Sequence, residues 1–247
     1  MKIKSSQIAG FLNAKLYGKD ILIEKPVSVY NLCFGSLSFV KEDFLKDSLV
    51  SQINSNPESL IICPEWYKDK IKSSFIISQR PYYDFSRALK EFFVAEPKIT
   101  VGKNCVIRES AIIGKQGHSF SRDENNKYVR NTHIGGVRIG DNVEIGSLAV
   151  IDRGVLDDTV IGSGVKIDSR VFVGHNCVIG QDTMITAGAV LGGGVVVGKN
   201  CFIGLGALIR QRVKIGDNAF VGMGSVVINN VRPGETVFGS PAKPIKR

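Results

Sequence analysis

From Val155 to Val227 an aliphatic residue returns at every sixth position, thirteen times without a break. Six is neither the 3.6-residue period of a helix nor the alternation of a half-buried strand, so an amphipathic version of either is excluded. Four residues after each aliphatic from Ile161 onward stands a residue of modest size: Val165, Val171, Cys177, Thr183, Ala189, Val195, Cys201, Ala207, Val213, Ala219 and Ser225. A prism-shaped solenoid satisfies both series. Each six-residue unit makes one short strand and one corner, three units make a coil of about eighteen residues, and the large aliphatics fill the axis. Gly or Asn at the corners supplies positive φ. The expected fold class is mainly β, a parallel β-helix.

Earlier rungs share the period in another phase: Val101, Ile107 and Ile113, then Ile139, Ile145 and Ile151. The step from Ile151 to Val155 is four, and between Ile113 and Ile139 lies the polar stretch KQGHSFSRDENNKYVRNTHIGG. Long loops on solenoids often carry function. The first ninety-odd residues lack the repeat: Ile8, Phe11 and Leu12 suggest a short helix, SLIICP and SFIIS read as buried strands, and RPYYDFSRALKEFF reads as a Pro-started helix with an aromatic face. The expected organisation is a small α/β domain over 1–97, a β-helix over 98–236 with a loop insertion at 115–134, and a basic tail over 237–247. No GxGxxG or P-loop pattern marks a phosphate cradle.

Composition bounds the rest. Five cysteines without paired spacing, Cys33, Cys63, Cys105, Cys177 and Cys201, argue against a disulfide framework and read as buried thiols in a reducing compartment. No apolar run approaches a membrane span and nothing directs export, so a cytoplasmic location is expected. The net charge is +9, and eight Lys or Arg against two acidic residues from Lys199 onward put +6 of it in the last fifth of the chain. Acidic or phosphorylated small partners suit that charge. No aromatic or Arg-rich motif supports nucleic-acid binding.

Three histidines are available for chemistry. His118 and His133 lie in the insertion, where a solvated loop histidine is the plain reading. His175, in VFVGHNCVIG, follows a corner glycine and should project from the coil. Counting by eighteens places Asp157, His175 and Gly193 in successive coils about 4.8 Å apart. A carboxylate, an imidazole and a side-chain-free N–H in one groove would serve as orienting acid, general base and oxyanion donor. The plain alternatives are a corner-capping carboxylate for Asp157, ordinary turn geometry for Gly193 and a surface histidine for His175. A zinc site is disfavoured, because His133 and His175 stand forty-two residues apart and the cysteines do not cluster.

The stretch VRIGDNVEIGSLAVIDRGVLDDTVIGSGVKIDSRVFVGHNCVIG, with its IDRGxLDDTxIG and HNxVIG segments, resembles the core of the UDP-3-O-acylglucosamine N-acyltransferases, within the hexapeptide-repeat left-handed β-helix superfamily. GSLSFV and SQRPYYDFSRALKEFF resemble that family's uridine-binding domain. The resemblance implies left-handed coils, a homotrimer, a nucleotide-linked amino sugar as acceptor, a proton-accepting role for His175, and sugar-nucleotide contacts near Phe39, His118 and His133. Three departures stand out: the run Lys41–Phe44 replaces the family's Asn-Pro-Lys-Tyr, Arg212 stands at a second histidine position, and no helices follow the coil. The ending VFGSPAKPIKR instead resembles acetyl-CoA-dependent transferases of nucleotide amino sugars. That likeness implies acyl-donor contacts at Gly206, Arg210, Gly222, Lys243 and Arg247. The favoured reading is therefore acetyl transfer from acyl-CoA, without a prosthetic group. A 3-hydroxyacyl carrier protein as donor, as in lipid A synthesis, is the alternative, and a non-catalytic β-helix binding module is a second.

Overall fold

The computed structural model describes residues 2–41 and 47–245. Contacts divide the chain into two compact units, one of residues 1–95 with 118–132 and one of residues 96–117 with 133–247. In the first unit, five strands pair in the order Leu16–Tyr17, Ser74–Ile77, Ser59–Cys63, Ser36–Phe39 and Lys25–Pro26, parallel except for the first pair. Ser59–Cys63 is buried along its whole length, as a continuous apolar run predicts for a strand covered on both faces. Helices α1 (Ser5–Phe11), α2 (Asp47–Asn54) and α3 (Pro81–Phe92) belong to the same unit. The aromatic face of α3 packs Tyr82 and Phe85 on Phe39, with ring centroids 4.9 and 4.8 Å away.

The spacing assigns 115–134 to the coil as one loop. Its tip is instead an antiparallel hairpin, Phe120–Arg122 with Tyr128–Arg130, and it packs with α3. The return strand is anchored where the buried Thr132 N–H donates to Ser86 Oγ at 2.8 Å. The hairpin thus pairs within itself and is tied to α3, while the ends of the insertion bond to the coil, where the Arg153 N–H donates to the Lys115 carbonyl at 3.0 Å and the Ile134 N–H to the Val155 carbonyl at 2.8 Å.

The second unit is the parallel β-helix that the repeat predicts, with the left-handed coils that the resemblance implies. Its three faces are parallel sheets of six, eight and six strands, the eight-stranded face ending in an antiparallel pair. Val160 pairs with Val178 and Val178 with Val196, so each coil takes eighteen residues. All twelve aliphatics from Ile161 to Val227 are at most 3% exposed, and the eleven smaller residues are equally buried. Left-handed backbone recurs every sixth residue from Gly164 to Gly224, through Arg170, Asn176, Asp182, Gly188, Gly194, Asn200, Gly206, Arg212 and Asn218. The period seen in hydrophobicity is therefore also a period in φ.

Three features depart from the spacing. Val155 begins the aliphatic series, but it is half-buried in a bend rather than a strand. Ile139 pairs with Ile161, twenty-two residues on, so the coil carries four extra residues between the strands Val150–Asp152 and Thr159–Ile161. Residues 237–245 are no loose tail: Thr236–Gly239 joins the coil beside Phe220–Val221 and pairs with Ala242–Pro244. Lys246 and Arg247 lie outside the described residues. Among the described residues no helix is long and apolar enough to cross a membrane. All five cysteines are free, and burial pushes the Cys63 and Cys177 thiols up to about 12.

Candidate active site

His175 follows the strand Phe172–Val173 and the corner Gly174, half-buried at the edge of the coil. The next residue, Asn176, occupies the left-handed corner at φ 58°. Its amide holds the four-residue bulge: Oδ1 accepts the Val155 N–H at 2.9 Å, Nδ2 donates to the Asp157 carbonyl at 3.0 Å, and its own N–H donates to Thr159 Oγ1 at 2.9 Å. A backbone N–H only donates and a carbonyl only accepts, so these partners fix which end of the amide is oxygen. His175 Nδ1 lies 3.1 Å from that Oδ1. Oδ1 can only accept, so Nδ1 carries a hydrogen, and in the neutral ring Nε2 is the nitrogen with the lone pair.

Gly193 sits one coil on, as counting by eighteens places it. A Cβ there would lie 2.5 Å from His175 Nε2 and 2.7 Å from Cε1, so any side chain would displace the imidazole. The Gly193 carbonyl accepts the Arg212 N–H at 3.0 Å, while its own N–H meets no acceptor among the described residues. An acceptor nitrogen and an unspent backbone donor therefore stand at one corner.

Asp157 does not stand where the count places it. Its carboxylate is exposed and makes no hydrogen bond to His175; only its carbonyl enters the site, through Asn176. The extra residues of the bulge break the eighteen-residue register ahead of Thr159, and Asn176 takes the orienting place. The HN dipeptide was the available signal for it. His133, expected in the insertion near the sugar nucleotide, is 1% exposed, and its ring meets that of His175 at 5.3 Å between centroids and 76° between planes. Asp152, 2% exposed, belongs to the same cluster and lies 3.7 Å from Lys115 Nζ.

The remaining candidates are dispersed. His118 is exposed against Phe120 in the hairpin, and Phe39 is half-buried under Tyr82 and Phe85. Gly206 is a corner at φ 62°, open to solvent, whereas Gly222 is buried against the Phe238 ring, so packing accounts for its missing side chain. Arg210 and Lys243 are exposed, and Arg247 is outside the described residues. A separate cleft of about 570 Å³, which the spacing did not single out, is lined by Arg108, Glu144, Lys166, Asp168, Met184 and Thr186 and contains neither His175 nor Gly193.

Two repeat models match the coil: the bacterial transferase hexapeptide over residues 158–193 and the hexapeptide repeat of succinyl-transferase over 194–228. The UDP-3-O-acylglucosamine N-acyltransferase of Coxiella burnetii is 50% identical over 76 residues, which are 31% of this chain and 22% of that protein. That of Ectopseudomonas mendocina is 46% identical over 78 residues, 32% of this chain and 22% of that protein. The matched segment thus spans about a fifth of these curated relatives. Among solved structures, the UDP-N-acetylglucosamine acyltransferase of Francisella novicida superposes with a TM-score of 0.54 at 25% identity, covering 60% of this chain and 53% of that one. The Bacteroides fragilis enzyme of the same name gives 0.52 at 19% identity, covering 62% and 59%. Residues 158–228 thus carry hexapeptide repeats of the bacterial transferase kind, and the core of the chain is similar to that of the UDP-3-O-acylglucosamine N-acyltransferases.

Proposed function

We propose that the chain transfers an acyl group from a thioester to the amine of a nucleotide-linked amino sugar, with His175 as general base. The observation that carries this reading is the His175 imidazole, held by Asn176 in the Nδ1–H form with Nε2 facing Gly193. The amine nitrogen attacks the thioester carbonyl while Nε2 takes its proton. The Gly193 N–H meets the oxygen that becomes negative, and collapse of the tetrahedral intermediate expels the thiolate, which recovers the proton from His175. Asn176 replaces Asp157 as the group that orients the base.

The curated relatives are named for N-acylation of UDP-3-O-acylglucosamine, which favours that acceptor class and the alternative reading over acetyl transfer. The acetyl preference rests on the C-terminal likeness alone. A homotrimer is what the resemblance implies, and the surface that suits contact between copies is the outer row of the third face, Ile112, Val150, Phe172, Val190, Leu208 and Val226, which carries no charge. The corresponding rows of the other faces carry Arg138 and Lys214, or Glu144 and Lys166.

The test is mass spectrometry of UDP-linked amino sugars incubated with purified protein and either acetyl-CoA or a 3-hydroxyacyl carrier protein. An N-acylated sugar with one donor is expected. His175→Ala should lower kcat/KM by on the order of a hundredfold or more; a folded variant with unchanged turnover would remove His175 from the mechanism.

A further inference from the structure

Arg153 belongs to the IDRG segment, to which the acyl-transfer geometry gives no part. Ile151 pairs with Val173, so Arg153 and His175 each stand two residues past paired strand positions, in adjacent coils about 4.8 Å apart. Lys115 pairs with Asp152 one coil earlier, and Gly193 meets the His175 ring one coil later. Gln116, Arg153, His175 and Gly193 therefore follow one another along a single corner. The Arg153 backbone is fixed there, its N–H donating to the Lys115 carbonyl at 3.0 Å.

The Arg153 side chain is half-buried and its donors are nearly unspent. Nη2 donates to Gln116 Oε1 at 3.3 Å, a long bond to a neutral amide. Nε is sealed from water and has no acceptor among the described residues. No carboxylate among the described residues lies within ion-pair distance of the guanidinium; the carboxylate next to it in the chain, Asp152, has Lys115 Nζ at 3.7 Å. A guanidinium is cationic at any pH at which a protein is folded. A cation drawn out of water without an anion is costly, and a buried donor without an acceptor calls for an explanation.

An anion that arrives with the substrate supplies that explanation, and the spacing says which one. In a nucleotide-linked sugar of the glucosamine kind, the reacting amine and the first phosphate sit on adjacent ring carbons. An amine at His175 Nε2 therefore carries that phosphate to within about one coil of the imidazole. The phosphates of a thioester donor lie at the far end of the pantetheine arm from the carbonyl that is attacked. We infer that Arg153 binds the sugar-proximal phosphate of the acceptor, its planar fork matching two phosphate oxygens, and so brings the amine to His175 from the N-terminal side of the corner. Gly193 and the later coils are left to the donor. The inference rests on the acyl-transfer reading for its acceptor and adds the residue that requires a diphosphate.

The experiment measures binding of UDP, UMP and CoA to the full chain by titration calorimetry, in wild type, Arg153→Gln and Arg153→Lys. Arg153→Gln removes the charge, so UDP affinity should fall by about ten- to a hundredfold, the usual cost of losing hydrogen bonds to a charged group. UMP lacks the sugar-proximal phosphate, so its affinity should hold, as should that of CoA. Arg153→Lys keeps the charge without the fork and should fall in between. In turnover, KM for the UDP-linked amino sugar should rise while kcat is kept, because the contact is the same before and during reaction. Equal UDP affinity in folded Arg153→Gln, a loss that falls on CoA instead, or a wild type that binds no UDP would overturn the inference. A shift to monomer with UDP affinity unchanged would assign the guanidinium to a carboxylate of a second copy, and overturn it too. If Arg153→Gln does not fold, the Arg153 Nε–H resonance of ¹⁵N-arginine wild type, assigned with Arg153→Lys, decides: it should move with UDP and not with UMP. If UDP binding depends on Arg153 but neither donor supports acyl transfer, the inference stands and the acyl-transfer reading falls.

Discussion

Asn176 serves backbone and chemistry with one side chain: it fills a left-handed corner, closes the bulge at Val155 and Asp157, and sets the hydrogen on His175 Nδ1. Asn176→Gly keeps the corner, because glycine accepts the φ of 58° without strain, and removes the amide that closes the bulge and orients His175. We expect kcat/KM to fall by about ten- to a hundredfold, the usual cost of losing a group that orients a functional imidazole. A steady-state comparison with wild type checks this, and an unchanged value would return the orienting role to some other group. Gly193→Ala should be as damaging to turnover, since its Cβ would lie 2.5 Å from Nε2.

At the scale of the element, the unit of stability is a two-residue strand with a left-handed corner. Ile185 is fully buried on the axis, and Ile185→Ala should cost about 2–5 kcal/mol by urea denaturation. Leu148 holds φ 61° with its side chain half in solvent, a conformation that disfavours a bulky residue. Leu148→Asn, matching the corners at Asn142, Asn176, Asn200 and Asn218, should raise stability by about 0.5–1 kcal/mol. On the apolar third face, Leu208→Asp should shift the protein toward monomer in sedimentation if that face joins copies of the chain; unchanged mass would exclude it.

For the whole molecule, two buried thiols set an alkaline limit. Burial raises Cys63 and Cys177 to about 12, against an ordinary thiol near 9, so the folded state keeps protons that the unfolded chain loses. A raised value contributes stability below about pH 9 that is lost as pH rises from about 9 toward 12. Urea midpoints should fall across that window, and replacing both cysteines with alanine should flatten the fall. The repeat, the corners and the His175–Gly193 stack were legible because each is written in a local period that burial and φ enforce coil by coil. Residues 153–157 and 116–136 carry no period, so the positions they deliver could not be counted. Sequence alone determined a β-helix with His175 over Gly193. Only tertiary structure decided that Asn176 rather than Asp157 faces the imidazole, and that His133 lies buried beside it. The path of a bulge or an insertion is set by distant hydrogen bonds and burial, which no spacing along the chain records.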